Sequence, residues 1–165
     1  MIDDRLGDIR QTDNGFDLIF ERRLSQGIEK VWAALTVPER VSEWLMTRTE
    51  VELRLGGRFA LEWVNQDYRM SGVITELDPP RLIAWTWPDK AHPDSVVRWE
   101  LWPDGAGCCL RLTQTGMHPP HLVSVAGGWH AYLECLPGAA ADDITPWSAE
   151  REKALRTRYE AFAPA

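Results

Sequence analysis

From Gly56-Gly57 to Thr115 the chain alternates apolar and polar side chains through five consecutive segments, with no helical period between them. Phe59, Leu61 and Trp63 alternate with Ala60, Glu62 and Val64. Segments from Tyr68 to Leu77, Arg81 to Trp87, Val97 to Trp102 and Cys108 to Thr115 follow, separated by breakers such as Asp78-Pro79-Pro80 and Pro103-Asp104-Gly105. Strands joined this closely leave no room for crossover helices, so the pattern predicts an antiparallel sheet. Gly72 falls inside the second of these segments and marks a place where a neighbour approaches closely. A one-layer sheet must bury one face against something else.

The rest of the chain supplies the cover. Phe16, Leu18, Phe20 and Leu24 share one face of a first strand after the turn Asp13-Asn14-Gly15. Ile28, Val31, Trp32 and Leu35 then have helical spacing after a Ser25 cap, and Pro38 opens a second short helix carrying Val41, Trp44 and Leu45. After Pro119-Pro120, a long helix is expected with Leu122, Val125, Ala126, Trp129, Tyr132, Leu133 and Leu136 on one stripe, stopped by Pro137-Gly138. Gly127-Gly128 in its middle costs about 1 kcal/mol per Gly relative to Ala, which calls for a packing or close-approach reason. A last helix is expected near Thr145-Pro146. The fold expected is α+β: a curved antiparallel sheet wrapped around one long C-terminal helix, with two short helices after the first strand. A twisted sheet around a single helix leaves a gap at its open end, a common ligand-site geometry.

At roughly 150 residues per domain, 165 residues predict one, taken as 15–165 behind a flexible arm of residues 1–14. The formal net charge of −7, without clustered Lys or Arg, excludes nucleic acid as an expected partner. No apolar run reaches the ~18–20 residues of a membrane span, and the acidic N-terminus has no signal-peptide core, so a cytoplasmic protein is expected. Cys108, Cys109 and Cys135 form no disulfide pattern and read as small buried hydrophobes. Lys occurs only at 30, 90 and 153, leaving little scope for Schiff-base chemistry.

Several segments in order resemble a known superfamily: 20–35 with Trp44-Leu45, Gly56-Gly57-Arg58-Phe59, the run from Gly72 to Leu82, and Gly127-Gly128-Trp129-His130-Ala131-Tyr132-Leu133. Together they resemble the helix-grip (START-like, SRPBCC) superfamily and, within it, bacterial homologues of the C-terminal domain of the activator of the heat-shock-protein-90 ATPase. The resemblance covers about residues 15–136. It implies the same fold and an internal cavity, more than it implies a reaction, since members include lipid and hormone binders and aromatase/cyclases. Co-chaperone activity belongs to larger eukaryotic members with a further N-terminal domain, for which the residues before the first strand are too few. The chain departs from common members at Gln114, where His is frequent, and at Cys108-Cys109, where Thr is common.

The cavity expected between sheet and helix is lined by Phe59, Leu61, Trp63, Tyr68, Met70, Trp85, Trp99, Leu112, Gln114, Trp129, Tyr132 and Leu133. The function expected is binding of a small hydrophobic or aromatic molecule without a cofactor. Two alternatives stay open: a cofactor-free cyclase- or hydrolase-like enzyme, with His130 and Tyr132 as its catalytic candidates, and a protein-interaction module using a patch near Trp102 or Trp147. His118-Pro119-Pro120-His121 is not read as a metal site, because the Pro pair keeps the two His off one helical face. Arg98, Glu100, Glu62 and Glu76 are expected to point outward into cross-strand pairs. Arg22 shares parity with Phe20, and is either at an exposed strand end or a buried anchor. A two-fold homodimer is the commonest assembly for such a domain.

Overall fold

The first hairpin begins earlier than the sequence suggests. In the computed structural model, which describes residues 4–162, Asp8–Thr12 (β1) pairs antiparallel with Gly15–Leu24 (β2), so residues 8–12 of the expected arm form an edge strand, while 1–3 lie outside the described residues. The turn at 13–14 is where the sequence placed it. Only one side chain of β1, Ile9, is apolar, so alternation gave no signal there. Gly15 sits at φ 128°, a conformation that favours glycine.

Two helices follow, Ile28–Thr36 (α1) and Pro38–Leu45 (α2). Gly27, rather than Ser25, is the N-cap of α1, and it makes no side-chain cap bond. Then come Thr47–Val51 (β3), Arg58–Trp63 (β4), Arg69–Asp78 (β5), Leu82–Thr86 (β6), Val96–Asp104 (β7) and Gly107–Met117 (β8). The strands form one antiparallel sheet in the order β1-β2-β8-β7-β6-β5-β4-β3. At Gly72 a Cβ would fall on the Thr86 carbonyl oxygen, the close approach its position implied.

Parity sorts the two faces. Leu18, Phe20, Phe59, Leu61, Ile74, Trp99, Leu110 and Leu112 point inward and are buried. Trp99 is 1% exposed and Trp102 is 39% exposed, so β7 turns its Trp99 parity inward. On the outer face Arg98 bridges Glu76 (2.9 Å) and Glu100 (2.8 Å), and Arg111 reaches Glu21 (2.7 Å). These exposed pairs order the surface but contribute little stability.

Helix Leu122–Ala140 (α3) lies against the inward face, in contact with α1, α2 and β2. Pro137 does not stop it. Ala139 and Ala140 are buried and the Ala141 N–H donates to the Pro137 carbonyl, so burial of the last turn outweighs the one bond proline removes. The chain reverses at Asp142 (φ 57°). Helix Ala149–Tyr159 (α4) starts later than Thr145, where the Ser148 hydroxyl caps the Arg151 N–H, and it packs along α3.

A tryptophan-lined cleft as candidate functional site

On α3, residues 125, 128, 129 and 132, with His121 at its N-cap, fall on one face, and that face does not close onto the sheet. Between it and the sheet end lies a cleft of about 570 Å³. Its far wall is Trp63 at the end of β4, Tyr68 before β5, Trp87 after β6, and Gln114 and Met117 in β8. Loop residues Asp89 to His92 form one rim, and Glu152 and Arg156 of α4 the other.

The two glycines of α3 have separate reasons. A Cβ on Gly127 would lie 2.8 Å from the Arg156 Cα, so this glycine sets the α3–α4 distance. A Cβ on Gly128 would meet nothing within 4 Å, because Gly128 faces the cleft.

The aromatic wall is tied by hydrogen bonds. Trp87 Nε1 donates to the Tyr68 hydroxyl (2.9 Å), which donates to Asp89 Oδ2 (3.1 Å). Asp89 Oδ1 accepts from the backbone N–H groups of Ala91 (2.9 Å) and His92 (2.7 Å), which holds the rim loop. Deeper, Trp129 Nε1 donates to Gln114 Oε1 (2.6 Å) and Gln114 Nε2 donates to Ser95 Oγ (3.0 Å). Gln114, 2% exposed, therefore fixes the Trp129 indole. Trp63 packs on Tyr68 and Trp87, with ring centroids 5.2 and 5.7 Å apart. Burial pushes the Tyr68 hydroxyl up to about 12 and raises that of Tyr132, so both stay protonated near neutrality.

Of the twelve residues expected in the cavity, Trp63, Tyr68, Gln114, Trp129 and Tyr132 line this cleft. Phe59, Leu61, Met70, Trp85, Trp99 and Leu112 are instead packed in the core, with Phe59 and Trp85 stacked at 3.8 Å. Leu133 lines a smaller cleft of about 320 Å³, together with Arg22 and Glu134. Arg22 is buried and inward. It donates to the carbonyls of Glu21 (2.8 Å) and Arg5 (2.9 Å), so it is not at an exposed strand end.

His130 is away from the cleft. It is fully buried, edge-on to Phe20 and Tyr159, with Nδ1 2.6 Å from the Tyr159 hydroxyl. Tyr159 accepts from the Gly7 N–H (2.8 Å), so its own proton goes to Nδ1. Burial first, and the Arg22 charge second, lower the His130 pKa to about 4. Neutral and enclosed, His130 joins α3, α4 and the N-terminal segment.

Residues that alternation missed include Trp87, Asp89, His92, Gly128, Glu152 and Arg156. Trp87 shares a face with Trp85, which was a usable signal. The loop and α4 residues come to the cleft by tertiary packing and have no periodicity to read. His92 stacks parallel to His118 (6.1 Å) and edge-on to His121 (5.7 Å), yet among the described residues no group of three or more His, Cys, Asp or Glu is arranged to hold a metal ion. Cys108 and Cys135 are pushed by burial to about 11, which leaves them as unreactive thiols. Trp147 packs against Tyr132 (6.1 Å, 17° between rings), whereas Trp102 lies outside under Arg111. No described helix is long and apolar enough to cross a membrane.

The sequence profile of the Activator of Hsp90 ATPase homolog 1-like protein family matches residues 27–141. Among curated proteins none matches the chain. Among solved structures, CalU16 from Micromonospora echinospora is 28% identical, with a TM-score of 0.73 over 95% of each chain. MLL2253 from Mesorhizobium loti is 28% identical with a TM-score of 0.67, over 78% of this chain and 99% of its own. EF2215 from Enterococcus faecalis, a conserved protein of unknown function, is 15% identical with a TM-score of 0.73 over 96% of this chain and 92% of its own, a likeness of fold alone.

Proposed function

Because the chain belongs to the Activator of Hsp90 ATPase homolog 1-like family of helix-grip proteins, we propose that the cleft beside Gly128 binds a small, largely apolar aromatic molecule. The observation that carries this reading is the gap itself: α3 keeps a glycine at 128 where a Cβ would meet nothing within 4 Å, beside Trp129 and in a cleft shared with Trp63 and Trp87. The volume, about 570 Å³, is within the roughly 300–1,000 Å³ of small-molecule sites. Aromatic walls contribute apolar contact and ring-on-ring geometry, while Asp89, Lys90, His92 and Arg156 at the rim offer orienting polar groups.

The test is a fluorescence titration with N-phenyl-1-naphthylamine, which brightens in apolar sites. Saturable one-to-one binding is expected in the unaltered protein, with loss in Gly128→Leu, whose Cβ meets no neighbour within 4 Å and whose side chain extends into the cleft. Equal binding by a Gly128→Leu protein of unchanged melting temperature would exclude the cleft. The reading drawn from the family's name, a protein-interaction or co-chaperone-like module, predicts instead that partner binding is indifferent to Gly128→Leu. No feature of the cleft favours that reading.

A further inference from the structure

The loop at the rim of the cleft is pinned by a buried histidine. His92 is 3% exposed, and each of its ring nitrogens faces an oxygen. Nδ1 lies 3.2 Å from Asp89 Oδ1, and Nε2 lies 3.1 Å from the backbone carbonyl oxygen of His118. The first contact closes the 88–94 loop on itself. The second ties that loop to the segment between β8 and α3. Asp89 also takes the Tyr68 proton, and Tyr68 takes the Trp87 indole proton. One chain of polar contacts therefore runs from the cleft wall through Asp89 and His92 to residue 118.

A neutral imidazole carries a single N–H, so it can donate to only one of these two oxygens. Its bare nitrogen then faces the other oxygen, lone pair against lone pair. Either tautomer leaves that defect in a nearly dry place, where an unmade polar contact costs more than an ordinary bond returns. The imidazolium donates at both nitrogens and leaves no defect. The surrounding charges sort in the same way. The Asp89 carboxylate favours a cationic ring. The His118 and His121 rings, 6.1 and 5.7 Å away, oppose it only when they are themselves charged, and both are exposed to water. Lys90 and Asp94, also in the loop and exposed, are of opposite sign, as are Arg156 and Glu152 on the far rim, held together at 3.1 Å.

From this geometry we infer that His92 is a proton-operated latch on the rim of the cleft. Protonated, it holds the 88–94 loop to the segment entering α3; deprotonated, it loses one of its two bonds and the loop loosens. The latch stands on the loop's own contacts and not on what the cleft binds, so its test needs no ligand.

The measurement is amide hydrogen exchange, each rate divided by that of an unstructured peptide at the same pH. The N–H groups of Ala91 and His92 donate to Asp89 Oδ1 and that of Ser95 to the His92 carbonyl, so all three report the closed loop. Between about pH 5 and pH 8, the interval in which histidine changes charge, their protection is expected to fall by about tenfold or more, the worth of one bond to a charged group. His130 cannot imitate this, because its protonation weakens the fold as pH falls, the opposite direction. His92→Gln, which does not titrate, is expected to abolish the pH dependence. His118→Gln, which keeps the backbone carbonyl, is expected to retain it. Ring nitrogen NMR of the unaltered protein gives a second reading: in the protected state both His92 nitrogens are of the protonated type. Protection independent of pH, a dependence that survives in His92→Gln, or a bare His92 nitrogen in the protected state overturns the latch.

Discussion

His130 shows how a residue with catalytic chemistry can be fully engaged by structure. Its Nδ1 takes the Tyr159 proton while Tyr159 takes the Gly7 N–H, so one imidazole ties three parts of the chain. The pKa of this buried ring falls from 6.5 to about 4. Protonation therefore favours the unfolded chain: the contribution is complete above pH 6.5 and is lost as pH falls toward 4. Between pH 7 and pH 5 the loss amounts to up to about 2 kcal/mol. Urea unfolding at the two pH values is expected to show that drop in the unaltered protein and clearly less of it in His130→Asn. An equal drop in both would mean that other groups carry the pH dependence. Sequence offered His130 only as a catalytic candidate on α3 and gave no sign that its ring is fully buried. It could not reveal that Tyr159, twenty-nine residues on, closes over the ring. Gln114 was legible as a polar group on an inward parity, but not its use in fixing Trp129.

Elements were legible where burial imposed a period. The five alternating segments became β4 to β8, and the stripe from Leu122 to Leu136 became α3. The two edge strands were not, for the same physical reason. β1 buries little, and β3 turns Thr47 and Thr49 toward each other (2.8 Å) and Ser42 (3.1 Å), so hydroxyl bonds replace the apolar signal. The glycine pair of α3 marks both a helix crossing and the open space of the cleft, and the two roles separate by substitution. Gly127→Ala forces a methyl against the Arg156 backbone and is expected to cost about 1–3 kcal/mol. Gly128→Ala meets no neighbour and is expected to gain about 0.5–1 kcal/mol from helix propensity. Chemical denaturation of the two variants checks the opposite signs; the same sign in both would remove the assignment of Gly128 to open space.

At the scale of the molecule, alternation tells which side of a strand is inward but not how deep along the sheet a residue lies. Trp85, Trp99 and Leu112 share the inward parity with Trp63 and Gln114, yet the first three are packed in the core and the last two line the opening. That division depends on where α3 lifts away and on the approach of the 88–94 loop and α4, neither of which has a periodic signature. The central claim is that this opening is a place for a small molecule and not a packing fault. Native mass spectrometry of freshly purified protein, set against its denatured mass, tests it most directly. A discrete excess mass of a few hundred daltons is expected, lost on denaturation and missing from Gly128→Leu; an excess mass retained by that variant, or none after exposure to saturating N-phenyl-1-naphthylamine, would contradict it.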